Sequence, residues 1–161
     1  NYGGHGFALG DKGSGAWMGL EAIKNALLDL DGLGEKTELT DVICQHFSVD
    51  NAMGIVEQMS GQPSSSFAKL ARYVFEAAKN NDQVAIEIVK EGASYVSKLA
   101  HRLLENNPPR LSMIGGLAEP LNCWLDEDIA KRVEAPIQPP EMGAVYFAQQ
   151  SVLEQNQEVS L

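Results

Sequence analysis

Leu111-Ser-Met-Ile114 stands between Pro108-Pro109 and Gly115-Gly116. An apolar run this short, closed by prolines on one side and glycines on the other, reads as a buried parallel strand with a tight turn at its carboxyl end. Open α/β sheets bind ligands beyond the carboxyl ends of their strands, and paired glycines let a flat ring or a phosphate lie against the backbone. Gly115 and Gly116 are therefore candidate ligand contacts, with an ordinary tight turn as the simpler alternative. Downstream, Leu117 to Val133 reads as the following helix, its start moved to Glu119 by Pro120. Ala135-Pro-Ile137 reads as a brief edge strand. Pro139-Pro-Glu-Met-Gly-Ala144 opens a last helix, and the polar residues 155–161 are expected to fray.

Upstream of the strand the pattern is helical. Val84, Ala85, Ile88, Val89, Val96, Leu99, Ala100, Leu103 and Leu104 mark one long helix that follows the turn Asn80-Asn-Asp82. Phe67, Leu70, Ala71, Val74, Phe75 and Ala78 predict an amphipathic helix over 67–78, with Ser64-Ser-Ser66 offering cap hydroxyls. The short connection makes these two an antiparallel pair. Two shorter helices are expected over Thr37 to Phe47 and over Asp50 to Met59, the second capped by Asp50, and a longer one runs from Ala16 to Leu30 behind a cap at Ser14. The class is a helix-rich α/β fold, in one unit without a dividing linker.

Six glycines fall within residues 1–15, at 3, 4, 6, 10, 13 and 15. Such density marks backbone that needs positive φ or close approach to a ligand. Asp11 adds a carboxylate, and the helix behind Ser14 points its positive end back into the loop, so polar-ligand capture is one reading. The other is a glycine hairpin in which Asp11 only caps the helix. The segment is not a GxxxxGK[ST] phosphate loop, because Lys12 is followed by Gly-Ser.

The 161 residues are enough for a core without disulfide or metal. With 12 Lys+Arg against 22 Asp+Glu the net charge is −10, the wrong sign for a nucleic-acid or anionic-membrane partner. No apolar run approaches the roughly 20 residues that span a bilayer, and no basic stretch leads an apolar one at the start. Cys44 and Cys123 are far apart, the pattern of two reduced thiols in a cytoplasmic protein. His5, His46 and His101 are scattered, and no His/carboxylate spacing indicates a metal site. A chain that opens at Asn1 directly into a glycine-rich segment reads as part of a longer protein.

In combination these segments become specific. Gly3-Gly-His-Gly6 with Gly10-Asp-Lys-Gly-Ser-Gly15 resembles the GGWG…GDEGSG segment of the N-acetylglucosamine kinases within the BadF/BadG/BcrA/BcrD ATPase family. Phe67-Ala-Lys-Leu-Ala71 through Asp82 is similar to that family's helix pair, Leu111-Ser-Met-Ile-Gly-Gly116 to its adenosine motif, and Pro139 to Ala144 to its closing helix. The resemblance covers nearly the whole chain and is strongest to bacterial glucosamine and N-acetylglucosamine kinases. It implies the incomplete C-terminal lobe of an actin-like, ribonuclease-H-like ATPase fold that phosphorylates the 6-hydroxyl of an amino sugar with ATP and Mg²⁺. A homodimer is compatible with it.

The resemblance also assigns roles. Asp11 matches the sugar-binding aspartate, Gly15 the small residue near the C2 substituent, and Gly3, Gly4 and Gly6 the backbone beside the sugar. Gly115 and Gly116 match the turn under adenosine, and Ser66, Phe67 and Lys69 the helix start facing the nucleotide. The catalytic base belongs to the family's N-terminal part, so no catalytic residue is expected here and the chain alone is expected to be inactive. Two positions depart from the pattern: Lys12 stands for a glutamate and His5 for a tryptophan. Rival readings are an ATPase that activates a CoA-ester dehydratase through a bridging iron–sulfur cluster, and a non-catalytic sugar- or nucleotide-sensing domain.

Overall fold

The computed structural model describes residues 2–7 and 9–158, with side chains described through Gln150. Its helices, in order, are α1 (Gly15–Leu30), α2 (Glu38–Phe47), α3 (Ala52–Met59), α4 (Ser64–Ala68), α5 (Ala71–Lys79), α6 (Gln83–Leu104), α7 (Ala118–Asn122), α8 (Glu127–Ala130) and α9 (Pro140–Glu158). The apolar faces of α1 to α6 close on one core, in which Met18, Leu39, Ile43, Ile55, Leu70, Val74 and Val89 are fully buried. Among the described residues, no helix is long and apolar enough to cross a membrane.

Side-chain caps explain several boundaries. Ser14 accepts from the Trp17 amide, as its position in the sequence indicates, and Thr37 accepts from that of Leu39. Asn51 rather than Asp50 caps α3, accepting from Gly54 N at 2.9 Å, so that helix starts later than expected. Asp82 does double duty. Its Oδ1 accepts from Ala85 N at 2.8 Å at the start of α6, and its Oδ2 from Glu38 N at 2.8 Å at the start of α2.

The helix expected over 67–78 is two helices. Leu70 N donates to Phe67 O and Tyr73 N to Leu70 O, i to i−3 bonds that tighten the chain at Lys69-Leu70. The cause is the neighbouring helix. A Cβ at Gly19 of α1 would overlap the Phe67 carbonyl oxygen, so backbone meets backbone there and α4 bends around the contact. The serines do not cap it: Pro63 occupies the N-cap position, without a side-chain bond. α5 and α6, joined by residues 80–82, pack on each other as expected.

The β portion is smaller than the sequence indicates. Among the described residues it is one parallel bridge, Leu111 with Val133, where Leu111 O accepts from Glu134 N at 2.9 Å. Ser112 and Ile114 are exposed, so 111–114 is not a buried strand; a lone segment with a single bridged neighbour has nothing to cover it. Residues 135–137 form no strand and Ile137 is 75% exposed. Leu117 to Val133 is also not one helix. The buried Ser97 hydroxyl of α6 accepts the Asp126 amide at 3.0 Å, which holds the chain in a turn between α7 and α8. α9 continues to Glu158, through part of the tail expected to fray, in a Glu- and Gln-rich stretch of good helix formers; positions 159–161 lie outside the described residues.

The Gly19 contact predicts that Gly19→Ala destabilises the chain by about 1–3 kcal/mol, an overpacking cost that outweighs the roughly 1 kcal/mol gained in helix propensity. Thermal denaturation followed by circular dichroism measures it; a stabilised variant would contradict the close approach.

Candidate functional site

The glycine-rich segment is laid across α4 and α6. Phe7 packs on Phe67 of α4 with ring centroids 4.9 Å apart. Along α6, successive turns meet the loop: Glu91 pairs with Lys12, a Cβ on Gly13 would stand 2.8 Å from the Gly92 carbonyl oxygen, and Tyr95 Oη donates to Gly10 O at 3.5 Å. Leu99 lies below Gly3. Gly3, Gly4, Gly6 and Gly13 all have positive φ, from +68° to +95°, so the path itself requires glycine.

Within this frame Asp11 is not the helix cap. Ser14 fills that role, and Asp11 Oδ1 instead accepts from Gly6 N at 3.1 Å, across the turn that closes with Gly10 N on Gly6 O at 2.9 Å. Asp11 Oδ2 makes no hydrogen bond among the described residues, and the side chain is half-exposed. The carboxylate thus has one oxygen holding the loop and one free to accept. Lys12 pairs with Glu91 and lies 5.6 Å from the Trp17 ring centroid. Gly15 abuts Ala68 and Ala71, at 3.5 Å from where its Cβ would be. The loop therefore joins Gly6 to Asp11, with Gly4 and Gly6 exposed, while Gly15 packs separately on Ala68 and Ala71.

The second candidate group is less gathered. Gly115, at φ +110°, and Gly116 are exposed, and a Cβ at either would meet nothing within 4 Å. A cavity of about 250 Å³ lies beside the turn, lined by Met113, Ala118, Glu119 and Val133. Ser66 donates to Gln62 Oε1 at 3.2 Å, and Lys69 is the exposed residue ending α4. Among the described residues no hydrogen bond, ion pair or ring contact joins Ser66 or Lys69 to the Gly115–Gly116 turn.

Several contributors escape a reading by spacing. Glu91, Gly92, Tyr95 and Leu99 build the floor of the loop, and only Gly92, a glycine inside a long helical pattern, signals a close approach in advance. Folding also collects His101, Asp126 and Asp128, which the sequence leaves scattered. The cysteines stay separate: burial, with Asp41 and Asp50 nearby, raises the Cys44 thiol pKa, while Cys123 is exposed.

The fold is shared with part of a solved structure. A Chromobacterium violaceum protein described as a "Putative N-acetylglucosamine Kinase" superposes with a TM-score of 0.82 at 27% identity, over 89% of this chain and 50% of that one. Residues 1–148 match the BadF/BadG/BcrA/BcrD ATPase family, and the chain belongs to it. Glucosamine kinase GspK of Vibrio cholerae is 30% identical over 146 residues, 91% of this chain and 49% of its own. An N-acetylmuramic acid/N-acetylglucosamine kinase of Clostridium acetobutylicum is 32% identical over 132 residues, covering 78% and 43%. The chain thus spans about half the length of the curated relatives it matches.

The division of labour between Ser14 and Asp11 has a measurable consequence. Ser14→Ala is expected to cost about 1 kcal/mol of stability through the lost cap. Asp11→Ala should leave the melting temperature nearly unchanged while amide exchange at Gly6 accelerates. Equal stability losses in the two variants would return Asp11 to a capping role.

Proposed function

We propose that this chain is the sugar- and adenosine-binding C-terminal part of an ATP-dependent kinase acting on the 6-hydroxyl of glucosamine or N-acetylglucosamine. The single observation that carries the reading is the state of Asp11: a carboxylate fixed through Oδ1 on a glycine loop, with Oδ2 making no hydrogen bond among the described residues. A fixed acceptor beside exposed backbone amides suits the vicinal hydroxyls of a pyranose. Kinase names on both relatives and on the structural neighbour support the class, and the match to about half of each is compatible with one lobe of an actin-like ATPase.

The roles follow from the residues. Asp11 orients the sugar by accepting from its hydroxyls, and the Gly4 and Gly6 backbone lets the ring approach where any side chain would intrude. Gly15, against Ala68 and Ala71, keeps the loop base narrow near the C2 substituent. The open Gly115–Gly116 turn and its flanking cavity fit an adenosine lying on bare backbone, with Ser66 and Lys69 on the nucleotide side. Bound ATP with Mg²⁺ supplies the phosphoryl group and the charge neutralisation that such transfers require. This chain's contribution is to hold and align the sugar and nucleotide.

In the full-length protein, Asp11→Ala is expected to lower kcat/KM for the amino sugar by about tenfold to 150-fold, the loss of bonds worth roughly 1.5–3 kcal/mol to a charged acceptor. Asp11→Asn should fall less. Steady-state kinetics against both sugars decide it, and unchanged values would remove the sugar-binding role. Gly116→Val has room to fold and should raise KM for ATP with sugar saturation unaltered, the pattern of lost uniform binding. Normal ATP saturation would move adenosine off this turn.

A further inference from the structure

We propose that His101, Asp126 and Asp128 form a surface site for a divalent transition-metal ion of the zinc class. His101 lies in the last turn of α6, Asp126 at the N-cap of α8 and Asp128 in its first turn. One ligand atom from each residue falls within 4.8 Å of the others. His101 Nε2 and Asp126 Oδ2 are 3.2 Å apart, close to the separation of about 3.3 Å between two ligands that each sit about 2.0 Å from a tetrahedral zinc. His101 Nδ1 and Asp128 Oδ2 are 3.7 Å apart on the other edge of the ring; an imidazole binds one ion through one nitrogen, so Asp128 must swing toward the Nε2 edge to join Asp126 on the ion.

The placement of Asp126 separates this group from a chance gathering of surface charge. At the N-caps of α1, α2, α3 and α6, the side chains of Ser14, Thr37, Asn51 and Asp82 accept from their own first turn. Asp126 occupies the equivalent position on α8 without making that bond, and its carboxylate faces His101 instead. Its backbone is fixed meanwhile by Ser97, a fully buried residue one turn before His101 on α6. Two ligands are thereby held in register by a single buried hydroxyl, the kind of outer support that orients ligand side chains.

The donor set selects the metal. An imidazole nitrogen favours zinc-class ions over magnesium or calcium, which prefer all-oxygen shells. Two carboxylates balance a divalent charge, and water fills the remaining positions because all three residues are exposed. A bound ion would link the end of α6 to α8, the two elements beside the Leu111–Val133 bridge. The proposal does not depend on the kinase reading, since none of these residues belongs to the glycine loop or the Gly115 turn.

The test is calorimetric titration of zinc chloride into EDTA-stripped, dialysed protein. One saturable Zn²⁺ per chain is expected, with a higher melting temperature as the ion binds the folded form. His101→Gln and Asp126→Asn should each weaken binding by more than about tenfold. Zinc should shift the ring resonances of His101 and leave those of His46 in place, a readout on the unmutated protein that does not depend on how the variants fold. Absence of saturable uptake, undiminished affinity in both variants, or an unmoved His101 ring would each overturn the site.

Discussion

Backbone-to-backbone contact at glycine is the constraint on which the remaining geometry rests. Gly19 brings α1 against the Phe67 carbonyl, and Gly13 meets the Gly92 carbonyl of α6, at separations that no Cβ would allow. Interiors pack densely and transmit strain, so these two contacts fix where the start of α1 lies relative to α4 and α6. The glycine loop leads directly into that start. Its course is then decided by what it rests on: Phe67 on one side and the Glu91-to-Leu99 face of α6 on the other. The same contact bends α4 away from α5, so one helix expected from periodicity becomes two.

The parts legible in advance are those governed by local chemistry. The cap at Ser14, the long α6 behind Asp82, and the dense glycines of residues 3–15 each carry their cause within a few residues. The parts that were not legible have distant causes. The break at Lys69-Leu70 is made by Gly19, fifty residues earlier. The turn separating α7 from α8 is made by Ser97, whose hydroxyl reaches Asp126 across 29 positions. A run such as Leu111 to Ile114 meets the apolar criterion for a strand, but becomes a sheet only where neighbours pair with it, and one bridge to Val133 leaves it mostly open. For the candidate site, Asp11 and the glycines stood out by composition, whereas Glu91, Tyr95 and Leu99 fit an ordinary helix pattern that carries no sign of the loop they support.

The electrostatics of the loop follow the same division. Lys12 is next to the one carboxylate of the loop, yet its ammonium is taken up by Glu91 and the face of Trp17. Asp11 is therefore left without an ion-pair partner among the described residues. Both lysine contacts are partly exposed and individually weak, with values of about 1 kcal/mol or less typical for exposed pairs. Their effect on the loop is one of direction: the cation is held on the α6 side and the free carboxylate oxygen is left to donors from outside.

Asp82 shares one carboxylate between two helix starts, accepting from Ala85 on α6 and from Glu38 and the Thr37 hydroxyl at α2. Thr37 in turn is tied through its amide to Asp29 at the end of α1. The energies of these helix ends are consequently not separable: residues in one hydrogen-bonded network couple, and the effects of changing them do not add. Removing Asp82 strips the cap of α6 and the acceptor of the Glu38 amide at once, and leaves Thr37 without its hydroxyl's acceptor. Positions 37 and 82 are thermodynamically one locus, and substitutions tolerated there must be tolerated as a pair.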